Sequence, residues 1–163
     1  MSTIDAPARA AAAIPGPPPR LVVVQAPYYG QVVGGMRRGA EGVFAAAGAS
    51  VEVVDVAGAF ELPAALRMAL LRPDARQTDG FLILGCVVKG ETDHYDFICD
   101  AVCSGIMTIT VETGIAVGFG LLTVDTLAQA LARSNDDRMN KGAEAAHALL
   151  GQVALRRRWA VGA

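Results

Sequence analysis

The segment Gly85-Cys86-Val87-Val88-Lys89-Gly90-Glu91-Thr92-Asp93-His94-Tyr95-Asp96 holds one of the chain's two histidines and one of its two lysines. It follows the apolar run 81–84. A buried strand opening into a glycine-containing loop, with a histidine where the next helix begins, suits an anion site beside an acid/base group. Gly90-Glu91-Thr92 precedes that helix, so its backbone N–H groups and the positive end of the helix dipole could hold a phosphate. A simple turn with an N-cap is the plainer reading of the same three residues, and Glu91 must point away from any anion. His94 can take up and return a proton near neutral pH, against the plainer reading of a surface or capping histidine. Together the residues point to chemistry on a phosphorylated small molecule.

These groups need a frame. Short apolar runs rich in β-branched residues occur at 21–25, 51–56, 81–88 and 116–119, each bounded by Gly, Pro or polar residues, as buried parallel strands are. Between them lie helical patterns over 31–47, 61–71, 95–113, 125–132 and 141–157. In the first, Val32, Val33, Met36, Ala40, Val43 and Phe44 recur near a 3.6 period. Gly34-Gly35 costs that helix roughly 1 kcal/mol per glycine, which close packing against it would explain. Pro63 sits in the first turn of the second, the third stops at Gly114, and Asp125 is the expected N-cap of the fourth. The alternation predicts right-handed crossovers and a three-layer α/β sandwich with a four-stranded, mainly parallel sheet, or five strands if a loop adds an edge.

Ligands bind such sheets outside the carboxyl ends of the strands. The expected loops there are 26–30, 57–61, 88–94 and 120–123, carrying Tyr28, Tyr29, Phe60, Glu61, Lys89, Thr92, His94 and Thr123. Tyr28, Tyr29 and Phe60 are candidates to stack on a planar ligand, although Phe60 suits a core equally well. Arg133 and Lys141 do not fit a single-chain site, because the fourth helix should run back to the opposite edge. His147 reads as structural, 135–138 as a solvated connection and 156–158 as a solvated helix end.

The length suits one domain over 20–158, with an Ala/Pro-rich tail over 1–19 and a short C-terminal tail over 159–163. Hydrophobic residues make up 53% and charged ones 18%, apolar enough to suggest an extensive subunit interface. A net charge of −2 supplies no basic field for nucleic acid. No apolar run approaches a membrane span, and the N-terminus lacks the basic start and apolar core of a signal peptide. Cys86, Cys99 and Cys103 read as buried free thiols in a reducing cytoplasm, and no metal-ligand spacing is visible.

Five blocks taken in order resemble the lumazine synthases, enzymes of riboflavin biosynthesis: Gly58-Ala59-Phe60-Glu61-Leu62-Pro63, the segment 85–96, Glu112-Thr113-Gly114, Phe119-Gly120-Leu121-Leu122-Thr123 and Asn140-Lys141-Gly142-Ala143-Glu144-Ala145-Ala146. The resemblance covers residues 21–150 and implies a flavodoxin-like topology. It implies condensation of 5-amino-6-(D-ribitylamino)uracil with 3,4-dihydroxy-2-butanone 4-phosphate, giving 6,7-dimethyl-8-ribityllumazine, phosphate and water. By resemblance, Tyr28 stacks on the pyrimidine, Gly58, Ala59, Phe60 and Glu61 contact ring and ribityl chain, and Val87, Val88 and Lys89 line the ring. Glu91 and Thr92 occupy the phosphate turn and His94 transfers protons. Phe119 packs from a neighbouring subunit, Arg133 (or Arg138, since the connection 134–139 differs from familiar versions) pairs with phosphate, and Lys141 supports it. No metal or redox cofactor is implied. The implied assembly is a homopentamer, or a larger assembly of pentamers, with sites between adjacent subunits. Two departures stand out: Pro27 replaces a basic or polar residue and Tyr28 a commoner Phe or Trp.

Two other readings compete. A non-catalytic flavin- or lumazine-binding shell protein would have no need of Thr92, His94 and Arg133 together. A Schiff-base lyase using Lys89 would want an acid partner to depress the amine, and none is evident.

Overall fold

The computed structural model describes residues 12–161. Strands β1 (Arg20–Gln25), β2 (Ser50–Asp55), β3 (Gly80–Val88) and β4 (Ala116–Val124) form one sheet in the order β2-β1-β3-β4. Every pairing is parallel. The central strands are apolar on both faces because helices cover both. Leu21, Val23, Leu82 and Leu84 face the layer of α1 (Gly30–Ala46) and α5 (Lys141–Arg158). Val22, Val24, Phe81 and Ile83 alternate with them and meet α2 (Leu62–Leu70) and α3 (His94–Thr113). The chain moves outward one way from β1 to β2 and the other way from β3 to β4, so the strand order reverses between β1 and β3. A crevice forms at such a reversal, and the turns that follow β1 and β3 flank it.

Several sequence expectations need correction. β4 does not end at Phe119 but runs to Val124, because Leu122 and Val124 continue the alternation and bury themselves in the α1/α5 core. Residues 120–123 are therefore strand, not loop. The fourth helix, α4 (Leu127–Leu131), has only five residues and does not run back along the sheet. Its N-cap is Thr126, whose hydroxyl accepts from the Gln129 N–H, while Gln129 Oε1 accepts from the Asp125 N–H. Asp125 supplies a backbone donor to this exchange and caps nothing with its side chain.

The end of α5 is no solvated arginine run. Arg157 pairs with Asp79 at 2.9 Å and donates through Nη1 to the carbonyls of Pro15 and Pro17, strapping that segment to the sheet's amino end. Arg156 donates to the Asp79 carbonyl, and only Arg158 of the three is exposed. Residues 1–11 and 162–163 of the expected tails lie outside the described residues. Of the thiols, only Cys86 is buried; Cys99 is half-buried and Cys103 exposed.

The turn between α4 and α5 is held from beneath by Asn140, which is 2% exposed. Its Nδ2 donates to the carbonyls of Gly35, Ser134 and Asn135, and its Oδ1 accepts from the Ala143 N–H as the N-cap of α5. Close approach of α1 makes this possible: a Cβ at Gly35 would collide with the Ser134 carbonyl, and one at Gly142 with the main chain of Met36. Gly35 thus repays its helix cost by packing; Gly34 meets only the tip of Arg38. Above, Arg38 and Asp136 form an exposed pair at 3.7 Å. Such a pair is worth about 0–1 kcal/mol. Loss of an N-cap alone costs about 1 kcal/mol, and each buried carbonyl left unpaired about 1–3 kcal/mol. The amide governs. Asn140→Ala is expected to lower the unfolding free energy in denaturant by about 3 kcal/mol, and Arg38→Ala by less than about 1 kcal/mol. Equal effects would show that the surface pair holds the turn.

Candidate active site

Three turns at the carboxyl end of the sheet carry one set of candidates. After β1 the chain makes a 3-10 turn, Pro27–Tyr29, in which Pro27 pre-sets the backbone. It leaves Tyr28 78% exposed, edge-on to Tyr29 with ring centroids 5.1 Å apart. After β2 a second 3-10 turn, Ala59–Glu61, leaves Phe60 60% exposed, so Phe60 is not core. The Glu61 carboxylate folds over Gly58, where a Cβ would lie 3.2 Å from Oε2. After β3, Val87 and Val88 are half-buried, the Lys89 N–H still bonds to the Val124 carbonyl at 2.8 Å, and the chain turns through 90–93. Glu91, Thr92 and His94 are exposed there, with His94 the first residue of α3. Asp93 caps that helix without a side-chain hydrogen bond, so its carboxylate does not close the amide cluster of the first turn.

A second set lies along the outer edge of β4. Phe119, Gly120, Thr123, Arg133, Lys141 and Glu144 line a groove of about 370 Å³. Phe119 is 40% exposed. Because α4 is short, Arg133 stays beside β4 and its Nη1 donates to the Gln129 carbonyl at 2.9 Å. The Lys141 N–H donates to the Arg133 carbonyl at 2.8 Å, and Lys141 Nζ pairs with Glu144 at 2.6 Å. Asn140 therefore fixes both cations through the main chain. Arg138 is exposed and does not line the groove. Nor do Tyr28, Phe60, Glu61, Lys89, Glu91, Thr92 or His94. One chain presents the two sets apart, each open on its surface.

Three residues in these surroundings drew no role from the sequence. Asn140 had a signal, a strong N-cap type just before an alanine-rich helix. Glu144 had a weaker one, its i,i+3 spacing from Lys141. Tyr95 had none, since its neighbour Thr123 lies across on β4. Burial pushes the Tyr95 phenol up, opposed by the Thr123 hydroxyl beside it. Among the described residues no three His, Cys, Asp or Glu gather as metal ligands, and no helix is long and apolar enough to cross a membrane.

The fold is that of a doubly wound α/β protein, with exposed aromatic and imidazole side chains and lysine and arginine cations at its strand ends. Residues 18–157 match the sequence model of the family described as 6,7-dimethyl-8-ribityllumazine synthase. The relative of that name from Methylobacterium radiotolerans is 43% identical over 138 residues, covering 85% of this chain and 82% of its own. Those from Bartonella bacilliformis and Paramagnetospirillum magneticum are each 38% identical, covering 86% and 85% of this chain and 92% and 95% of theirs. The chain belongs to the 6,7-dimethyl-8-ribityllumazine synthase family.

Cys86 is buried near the end of β3 in the α1/α5 core, and burial pushes its thiol up to about 11. It stays protonated below that pH, and the thiolate is the reactive form. At pH 8 native protein should leave Cys86 unmodified by iodoacetamide while guanidinium-unfolded protein labels it fully, as read by peptide mass. Native labelling at the unfolded rate would show that the strand end opens.

Proposed function

We propose that the chain condenses 5-amino-6-(D-ribitylamino)uracil with 3,4-dihydroxy-2-butanone 4-phosphate, releasing 6,7-dimethyl-8-ribityllumazine, phosphate and water. Family membership supports the reaction. The observation that carries the site assignment is the division of the recognised residues into two partial sites on one chain. Tyr28 and Phe60 offer apolar faces to a planar pyrimidine, with Glu61 beside them for its polar edge. Val87, Val88 and Lys89 line the ring from β3. The turn Glu91-Thr92 and the first-turn amides of α3 receive the phosphate end. His94 moves protons as the amine condenses with the ketone, phosphate is eliminated and the ring closes. Holding two reactants together is the larger share of the work, since it removes the entropy of bringing them into contact.

Phe119, Arg133 and Lys141 complete the site from an adjacent subunit of a homopentamer, alone or as part of a larger shell. Arg133 then adds charge-assisted hydrogen bonds to the departing phosphate. Exposed aromatics at both partial sites support this reading, since a packed partner would cover them. So do Phe97, Met107 and Val111 on α3, each more than 60% exposed, and Met68 and Leu71 at the end of α2. The free cysteines suit the cytoplasm.

Purified protein given both substrates should form a fluorescent lumazine; a correctly folded oligomer that forms none would sink the proposal. His94→Ala is expected to lower kcat by about 10²-fold, and Arg133→Ala to lower kcat/KM for the phosphate substrate by about 10- to 100-fold. The two inactive variants also test the shared site. Coexpressed, they should recover activity well above either alone, because some interfaces then pair an intact His94 with an intact Arg133. No recovery would place both residues in a site within one chain.

A further inference from the structure

Tyr95 belongs to neither partial site yet touches both. It is the second residue of α3, half-buried, and Lys89 Nζ lies 5.9 Å from the centroid of its ring. Its phenol lies beside the Thr123 hydroxyl, and Thr123 lines the β4 groove with Arg133 and Lys141. Cys99, one turn along α3, and Asp125, just beyond β4, complete its surroundings. We propose that Tyr95 is a positioning residue, holding the Lys89 ammonium against its ring and tying the β3–α3 turn to β4 through Thr123. The proposal rests on the reading of Lys89 as a ring-lining group.

The Lys89 main chain needs no such help, because its N–H is already bonded to the Val124 carbonyl. Its side chain does: a lysine ammonium rides on a flexible four-carbon stem and can point in many directions. An aromatic face within about 6 Å attracts the cation and narrows that choice. The ring is itself held at its far end by Thr123, so the ammonium inherits a position set by β4. In this arrangement the two partial sites of one subunit are not independent, since the residue that anchors Tyr95 also lines the groove.

Steady-state kinetics on Tyr95→Phe, Tyr95→Leu, Thr123→Val, Lys89→Met and their pairs test the proposal. Tyr95→Phe keeps the ring and should leave KM for the pyrimidine within about 2-fold of wild type. It should lower kcat about 3-fold, as should Thr123→Val, with no further loss in the pair, because one polar contact is removed either way. Tyr95→Leu should raise KM about 5-fold, and adding it to Lys89→Met should raise KM no further. An unchanged KM in Tyr95→Leu, or effects that multiply with Lys89→Met or Thr123→Val, would overturn the assignment. A purely structural tyrosine would lower the melting temperature without this coupling to Lys89. If wild-type protein forms no lumazine, the functional reading has failed and amine labelling decides the positioning claim alone. Acetic anhydride should then acylate Lys89 several-fold faster in Tyr95→Leu than in wild type or Tyr95→Phe; equal rates in all three would overturn it.

Discussion

The Asn140 carboxamide joins three segments: the middle of α1 through the Gly35 carbonyl, the turn after α4 through Ser134 and Asn135, and the start of α5 through Ala143. Arg133 ends one side of that turn and Lys141 begins the other, and a backbone bond joins them. Two cations held close must be fixed by something other than each other, because their mutual repulsion favours separation. The buried amide supplies that fixation at the main chain, and Glu144 supplies a carboxylate beside Lys141. Bulk on α1 or α5 would undo it. The absence of side chains at Gly35 and Gly142 lets the helices approach until the amide can bridge them.

Much of the fold was legible because the physics that forms each element is local. Strands covered on both faces must be apolar throughout, and the runs at 21–25 and 81–88 mark β1 and β3 to within a residue. The third helix ends at Gly114, whose φ of +63° is a left-handed C-cap that glycine adopts without strain. The fourth strand failed for an equally physical reason. Its glycines and the Leu-Leu-Thr that follows resemble a loop on composition, whereas burial of Leu122 and Val124 is a property of where α1 and α5 come to lie. The arginines near the end of α5 failed in the same way. Their partners, Asp79 and the carbonyls of Pro15 and Pro17, are far along the chain, so nothing nearby announces them.

The strand-end candidates were legible for a related reason. A residue that follows a parallel strand is delivered to the carboxyl edge whatever its neighbours do, so the order of strands places Tyr28, Phe60, Lys89 and His94 before any contact is known. Arg133 and Lys141 depended instead on the length of α4. Read as eight residues, that helix carries them away from the site edge; at five residues it leaves them beside β4. Tyr95 was invisible because its value lies in a contact between two elements, and a tyrosine in the first turn of a helix looks like any other half-buried aromatic.

β4 shows how register turns a core strand into part of a site. Its residues alternate: Ala116, Leu122 and Val124 enter the core under α1 and α5, while Val117 faces α2 and α3 and Phe119 and Thr123, further along that same face, stand exposed. The pairing with β3 sets Phe119 opposite Ile83 and Thr123 opposite Val87. A slip of one residue would exchange the faces, moving Phe119 and Thr123 into the α1/α5 core and turning Leu122 and Val124 outward. Burying a leucine side chain is worth about 1.5–3 kcal/mol, so apolar burial strongly opposes that slip. The same energy that secures the core therefore aims Phe119 along the groove and sets Thr123 within reach of Tyr95. Side chains that contribute nothing to the core are placed by those that do.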